Sequence, residues 1–523
     1  MKVKEFIKKY HLIAYFIMIF VIAVIGLSVK WYRYDSFVAT YGPNLGAAYK
    51  YFNILLALIL VAATVLFYVF VIRKPAIEKC FLAVSLSIGM LFIFFMPPNT
   101  PADEDKHMFA VTEFSNGIIG IKDSDKEYTT FYRQCDAESG FTRSISISNY
   151  LLMGKKLTER ADNLLVEYET EHFNYAWSTV FLYLPSIVGM TISKSLGLGT
   201  VIMYFICRLL TLLTYTGLGY LAIKKIPTGK AVLAAVMLLP SAISRAACVS
   251  QDALMNGFAF LFVAYALYFA FSDKTIKVKE CVVAVLAATF MIMGKSGAYA
   301  PLLLLLLMVP KANFGTKVKY PAIVGISVFY AMIIFLVANP GLLSDLLGIG
   351  GSAQSDLVWT DAPAYGVKNI LLNPGRSVKM VINTIVAFGG QFFGEMISGG
   401  YGWLQIYSSP LVVVMCFVPV LMLALSSESQ SVVFSKKQKI LTLGAVVASL
   451  GLIALSMWAF WTPINFNYIA GLQGRYFIIL LFPVMMTLRN NKLVIKNNIE
   501  KKCIFMLALM SIFVLFEMWT KIA

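Results

Sequence analysis

Long apolar stretches separated by short basic or polar runs recur along the whole 523-residue chain. A membrane-crossing helix needs about 20 apolar residues. Read with that length in mind, the pattern predicts an all-α integral membrane protein with about 13 spans. They fall at 10–29, 51–72, 80–95, 201–223, 231–244, 253–271, 281–294, 298–309, 320–337, 411–425, 440–460, 476–486 and 503–519. Several are short, and Gly or Pro breaks within them are tolerated where helices line a cavity. The first stretch is too long for a cleavable leader and lacks a small-residue cleavage site.

Composition agrees with this reading. Hydrophobic residues make up 59% of the chain and charged residues only 14%, with a mean hydropathy of +0.77. One soluble core cannot hide that much apolar surface, whereas lipid solvates it directly. The net charge of +17 is spread over short Lys and Arg runs between apolar stretches. Such runs record insertion orientation, which argues against nucleic acid as a partner. The seven cysteines form no CxxC pair and no metal-ligand spacing.

The basic runs also set the topology. Lys2, Lys4, Lys8 and Lys9 keep the N-terminus cytoplasmic, as do Arg73, Lys74 and Lys79 for the loop after the second span. A long loop at 99–177, carrying about half of the chain's 27 acidic residues, then lies outside. If 181–196 crossed, Lys224, Lys225 and Lys230 would end outside, so it is read as an outer-face juxtamembrane helix. The same reasoning makes 378–393 a re-entrant or surface helix. Three regions result: a two-span extension at 1–78, a core at 79–490 that includes the outer loop 97–198, and a last span at 491–523.

Under this topology the unusual polar residues collect on the outer side. Asp103, Glu104 and His107 follow the third span, and in a helix Asp103 and His107 share a face. A carboxylate beside an imidazole suits general-base work or metal binding; the plainer alternative is a solvated linker. Arg245 and Asp252 lie in a short turn between two spans, where polar residues are needed anyway. Lys295, with Tyr299 one turn on, suits either snorkelling to lipid headgroups or phosphate binding in a cavity. Gln473, Arg475 and Tyr476 open a span, and a guanidinium there can grip a phosphate with two donors. Arg208 lies deep in an apolar stretch, where an ionisable side chain faces a partner or a cavity. Acid, imidazole and cations converging on one membrane face suit a lipid-phosphate substrate.

In motif and order, residues 97–483 resemble the DUF2142 family of bacterial membrane proteins. That family is in turn similar to the GT-C superfamily of polyprenyl-phosphate-dependent glycosyltransferases. The resemblance rests on Pro97-Pro98 with Asp103, Glu104 and His107, on Phe181 to Pro185, and on Ser250-Gln-Asp252. It extends to Lys295 with Tyr299, Gly402-Trp403-Leu404, and Gln473-Gly-Arg475-Tyr476-Phe477. Two departures are visible. Asn99-Thr100 interrupts the Pro-Pro-Asp-Glu spacing, and the acidic motif follows a third span instead of a first, so the first two spans read as an addition.

The resemblance implies a GT-C-like fold and an inverting transfer of sugar from a polyprenyl-phosphate donor to a cell-envelope glycan or glycolipid at the outer face. Asp103 would be the base, and Glu104 would orient the acceptor or a metal. Lys295 and Arg475 would stabilise the leaving phosphate, with His107 and Arg245 in support. A divalent metal on Asp103 and Glu104 is compatible but not required, since the cations can do its electrostatic work. A transporter or flippase of lipid-linked sugars would use the same cavity and cations without a base, and an envelope-assembly scaffold would need neither.

Overall fold

The computed structural model describes residues 2–522 except 43–45, 123, 127, 163, 170–176, 315–359, 361, 427–431 and 496–497. The expected span at 320–337 lies outside the described residues. The helices used below are α1 (Lys2–Tyr41), α2 (Gly46–Phe67), α3 (Ile77–Phe95), α4 (Glu104–Ile118), α5 (Ile147–Lys156), α6 (Leu184–Ser195), α7 (Thr200–Lys225), α8 (Lys230–Met237), α9 (Pro240–Ala246), α10 (Gln251–Phe271), α11 (Val278–Met293), α12 (Pro374–Ile397), α13 (Pro410–Ala424), α14 (Lys436–Trp461), α15 (Ile478–Leu488) and α16 (Glu500–Thr520). Two small antiparallel pairs decorate them, Thr129–Arg133 with Leu165–Glu169 and Gly400–Tyr401 with Ile406–Tyr407.

The chain is mostly helical, and eight of the described helical segments are long and apolar enough to cross a membrane. Two shorter apolar segments, Pro410–Ala424 and Gly474–Leu488, accompany them. The higher count expected from sequence includes apolar runs that fold as broken pieces. Residues 231–244 divide into α8 and α9 at Pro240, whose ring and missing N–H interrupt a helix. Residues 281–309 divide into α11 and a 3-10 helix, Ala300–Met308. The break between them contains Lys295 and Gly297, both at positive φ.

The hydrogen bonds sort the loops into two ends. At one end Lys225 pairs with Glu280 at 2.5 Å, Arg489 donates to Thr228 at 2.8 Å, and Lys501 donates to the Lys74 carbonyl at 2.8 Å. The basic runs of the sequence predict the cytoplasmic side, or its border, for all of these positions. At the other end Thr200, which opens α7, donates to Asp136 of the long loop at 2.8 Å. The chain has therefore returned to its starting end by residue 200, and 181–196 makes no net crossing.

For α12 the structure differs from the surface or re-entrant placement expected at 378–393: Pro374–Ile397 is itself one of the eight described segments long and apolar enough to span. Arg376 donates to the Ile464 carbonyl, Thr384 accepts from the Ile469 amide, and Glu395 accepts from the Gly474 amide, at 2.8, 2.8 and 2.6 Å. The helix and the segment 464–474 run alongside each other over most of the helix's length. Cysteines introduced at Ser124 and Asn465 should react with a membrane-impermeant maleimide in intact cells, and cysteines at Lys224 and Lys437 should not. The reverse pattern would turn the whole assignment inside out.

Candidate functional site

The site is built where α3 stops. Pro97-Pro98 ends the helix, and the chain turns through Asn99 and Asp103, both at positive φ, into α4. Arg208 comes up from α7 and closes this corner. Its guanidinium donates to the Ile93, Met96 and Pro97 carbonyls at 3.2, 2.5 and 3.1 Å, satisfying acceptors that the end of α3 leaves open. The same guanidinium grips Glu104 with two bonds, at 2.9 and 2.5 Å. Glu104 also accepts the amides of Asn99 and Val249, at 3.1 and 3.0 Å.

Both side chains of this pair are fully buried. Glu104 thus has four donors and no face toward an acceptor or a metal, so its geometry fits a strut under the loop and not the orienting or metal-binding part expected from sequence. Arg208 has the partner that its depth in the span required.

Asp103, one residue earlier, points elsewhere. Its side chain remains 30% exposed and takes a 2.5 Å bond from Arg475. Arg475 is buried, donates to the Ala102 carbonyl at 3.3 Å, and lies 3.7 Å from Asp252 through its Nε. Lys295 reaches Asp252 from the other side at 3.3 Å and sits over the Tyr476 ring at 4.2 Å. Two carboxylates and two cations from four distant segments therefore meet in one chain of charges. Arg245 borders it, donating to the Ala102 and Gly400 carbonyls at 3.4 and 3.2 Å.

The cluster has open hydrogen-bonding capacity. Arg475 Nε and Gln473 Oε1 are buried without a hydrogen-bond partner among the described residues, and Asp252 Oδ1 meets Lys295 at ion-pair distance without a hydrogen bond of good geometry. Arg475, Arg245 and Gln473 also line a small cavity with Ser241 and Glu395.

The electrostatics follow from this packing. Burial alone would raise the Asp103 carboxyl, but Arg475, with His107 and Lys295 behind it, holds it well below the usual carboxylate range. His107 is pushed down to about 4, chiefly by burial and against the pull of Asp103 and Asp252. It is therefore a neutral imidazole at neutral pH, hydrogen-bonded through Nδ1 to the Tyr183 hydroxyl at 2.6 Å. Five of the seven described non-glycine residues at positive φ ring this corner: Asn99, Asp103, Lys295, Trp403 and Leu404. Backbone strain of this kind concentrates at functional sites. Among the described residues no group of three or more His, Cys, Asp or Glu is arranged to hold a metal ion.

The remaining expected residues are braces. Tyr299 is fully buried and donates to the Tyr476 carbonyl at 2.8 Å. Tyr476 lays its ring beneath Lys295 and beside Arg475. Sequence reasoning missed Glu395, which is buried and fixes the Gly474 amide beside Arg475. The available signal was an acid inside an apolar helix. It also missed the outer layer in which Arg143 pairs with Asp105 at 2.7 Å and stacks over Trp403 at 4.2 Å.

Gly474 shows how tightly the arginine turn is seated. A Cβ there would overlap the Phe392 carbonyl oxygen and lie 2.6 Å from the Met396 amide nitrogen. Overpacking against backbone costs about 1–3 kcal/mol and moves what it pushes. Gly474→Ala should therefore insert normally yet lose about 1–3 kcal/mol of stability, read by thermal unfolding of the purified chain. An unchanged unfolding temperature would show that the turn is not tightly seated.

No curated protein and no solved structure matches the chain. A family described as a predicted membrane protein, DUF2142, matches residues 86–487, which is most of the chain. The chain therefore belongs to the DUF2142 family of membrane proteins.

Proposed function

We propose that this chain is a membrane glycosyltransferase, moving a sugar from a polyprenyl-phosphate donor to a glycan or glycolipid acceptor at the outer face. The observation that carries the reading is Arg475, a buried guanidinium shared by a solvent-reachable carboxylate, Asp103, and a buried one, Asp252, with Lys295 alongside. The donor phosphate takes Arg475 and Lys295, and Asp103 is released from its ion pair. Freed of that cation, Asp103 regains basicity and accepts the proton of the acceptor hydroxyl. The acceptor oxygen attacks the anomeric carbon with inversion, the bond from that carbon to the phosphate oxygen breaks, and the polyprenyl phosphate leaves with its charge held by the two cations. The proposal keeps about 13 crossings, the short ones being broken segments that line the cavity.

A transporter of lipid-linked sugars is the second reading. The broken helices around the cluster, α8–α9 and the segment at Gly294–Gly297, favour it, because interrupted helices at a binding site are a transporter device. Both readings need phosphate recognition. Lys295→Met and Arg475→Met should each weaken binding of a polyprenyl-phosphate sugar without affecting insertion, and Arg475→Lys should also be impaired, since an ammonium lacks the planar fork. Wild-type binding in both methionine variants would remove these cations from the site.

A further inference from the structure

We propose that an aromatic recess beside Arg475 is a carbohydrate-binding subsite that takes sugar rings of the acceptor. The proposal rests on the transferase reading above. The recess, about 460 Å³, lies between α12 and the segment after α14, and is walled by Phe388, Gln391, Phe392, Trp461, Phe466 and Tyr468. That volume falls within the range of ligand pockets, about 300–1,000 Å³. The rings meet at an angle and do not stack: Phe388 and Phe466 lie 5.0 and 5.2 Å from Tyr468, tilted by 55° and 49°. Trp461 stays exposed and Phe388, Phe392, Phe466 and Tyr468 are only half-buried.

Three features favour a saccharide. A pyranose offers an apolar C–H face that suits ring faces, and a hydroxyl rim that needs hydrogen-bonding groups. Gln391 supplies such a group at the wall: its amide nitrogen is held by Glu395 and Tyr407, at 2.8 and 3.1 Å, which leaves its oxygen to accept.

Position is the second feature. Gly471 and Leu472 line the recess and run directly into Gln473–Arg475, while Phe392 touches Gly474. An occupant therefore sits next to the phosphate cations. The third is orientation: Phe388 and Gln391 share the helical stripe of Thr384 and Glu395, which is the buried stripe of α12. The exposed apolar stripe of α12, Val378, Ile382, Ile385 and Val386, is a different face. An isoprenoid or acyl chain would be expected on that stripe.

The full chain in lipid nanodiscs can be tested by saturation-transfer NMR with methyl glycosides of glucose, galactose, rhamnose and N-acetylglucosamine, and separately with farnesyl phosphate. At least one glycoside should bind. Phe388→Leu and Tyr468→Leu, which keep apolar bulk but remove a ring face, should weaken it tenfold or more while changing farnesyl phosphate binding less than twofold. No binding by any glycoside, or unchanged affinity in both variants, overturns the proposal. So does a loss confined to farnesyl phosphate, which would make the recess an isoprenoid groove. Arg475→Met reads the other claim separately: if it binds farnesyl phosphate as wild type does, the phosphate site fails while a ring-dependent glycoside result stands.

Discussion

Replacing Arg208 with methionine is expected to destabilise the folded chain by about 3–5 kcal/mol, the cost of leaving a buried charge without its partner. Glu104 would keep two amide donors but lose both guanidinium bonds, at zero exposure. The Ile93 and Met96 carbonyls at the end of α3 would lose this donor as well, while the Pro97 carbonyl keeps the Thr100 hydroxyl and amide. Glu104→Gln in the Arg208→Met background should recover part of the loss, because the unpaired charge is gone, whereas Glu104→Gln alone should be milder than Arg208→Met. Thermal unfolding of the purified chain in detergent reads all three. A loss below about 1 kcal/mol for Arg208→Met would mean that the pair is not sealed from solvent.

Much of the architecture was legible because lipid imposes a length and a charge rule on sequence. The basic runs separated two sets of loops and demoted 181–196, after which the chain is back beside Asp136 at Thr200, but they also demoted 378–393, which folds as a helix long and apolar enough to span. Less legible was how short apolar runs fold. The stretch 281–309 reads as two helices, but Gly294–Gly297 turns it into a helix and a 3-10 segment and so delivers Lys295 to the site.

At the site, residue type identified the participants better than their roles. Asp103 and Glu104 are adjacent and chemically alike. Yet one faces Arg475 near solvent, and the other is locked to Arg208 inside the protein. Nothing in a dipeptide distinguishes them, because the difference lies in the positive φ at Asp103, which sends the two side chains in different directions. Arg208 was recognisable as an ionisable group in need of a partner, but its partner lies 104 residues away in sequence.

The second large effect concerns Asp103 itself. Asp103→Asn keeps the shape and can still accept a hydrogen bond from Arg475, but it cannot take a proton. If Asp103 is the base, turnover should fall by about 10²–10⁴-fold. Donor binding should survive or tighten, since the asparagine competes less strongly with the phosphate for Arg475. The wild-type pH profile should show the same group: in the donor complex, activity should rise with pH as Asp103 deprotonates and then level off, and that limb should be absent from the variant's residual rate.

The most direct measurement is to incubate the purified wild type and Asp103→Asn with labelled polyprenyl-phosphate sugars and candidate acceptors, following donor binding and glycosidic product side by side. Product from the wild type, a collapse of at least a hundredfold in the variant, and retained donor binding in both is the predicted result. Product formed by Asp103→Asn at the wild-type rate would contradict the assignment of the base. Donor bound and moved across the bilayer by the wild type with no glycosidic product would contradict the transferase itself.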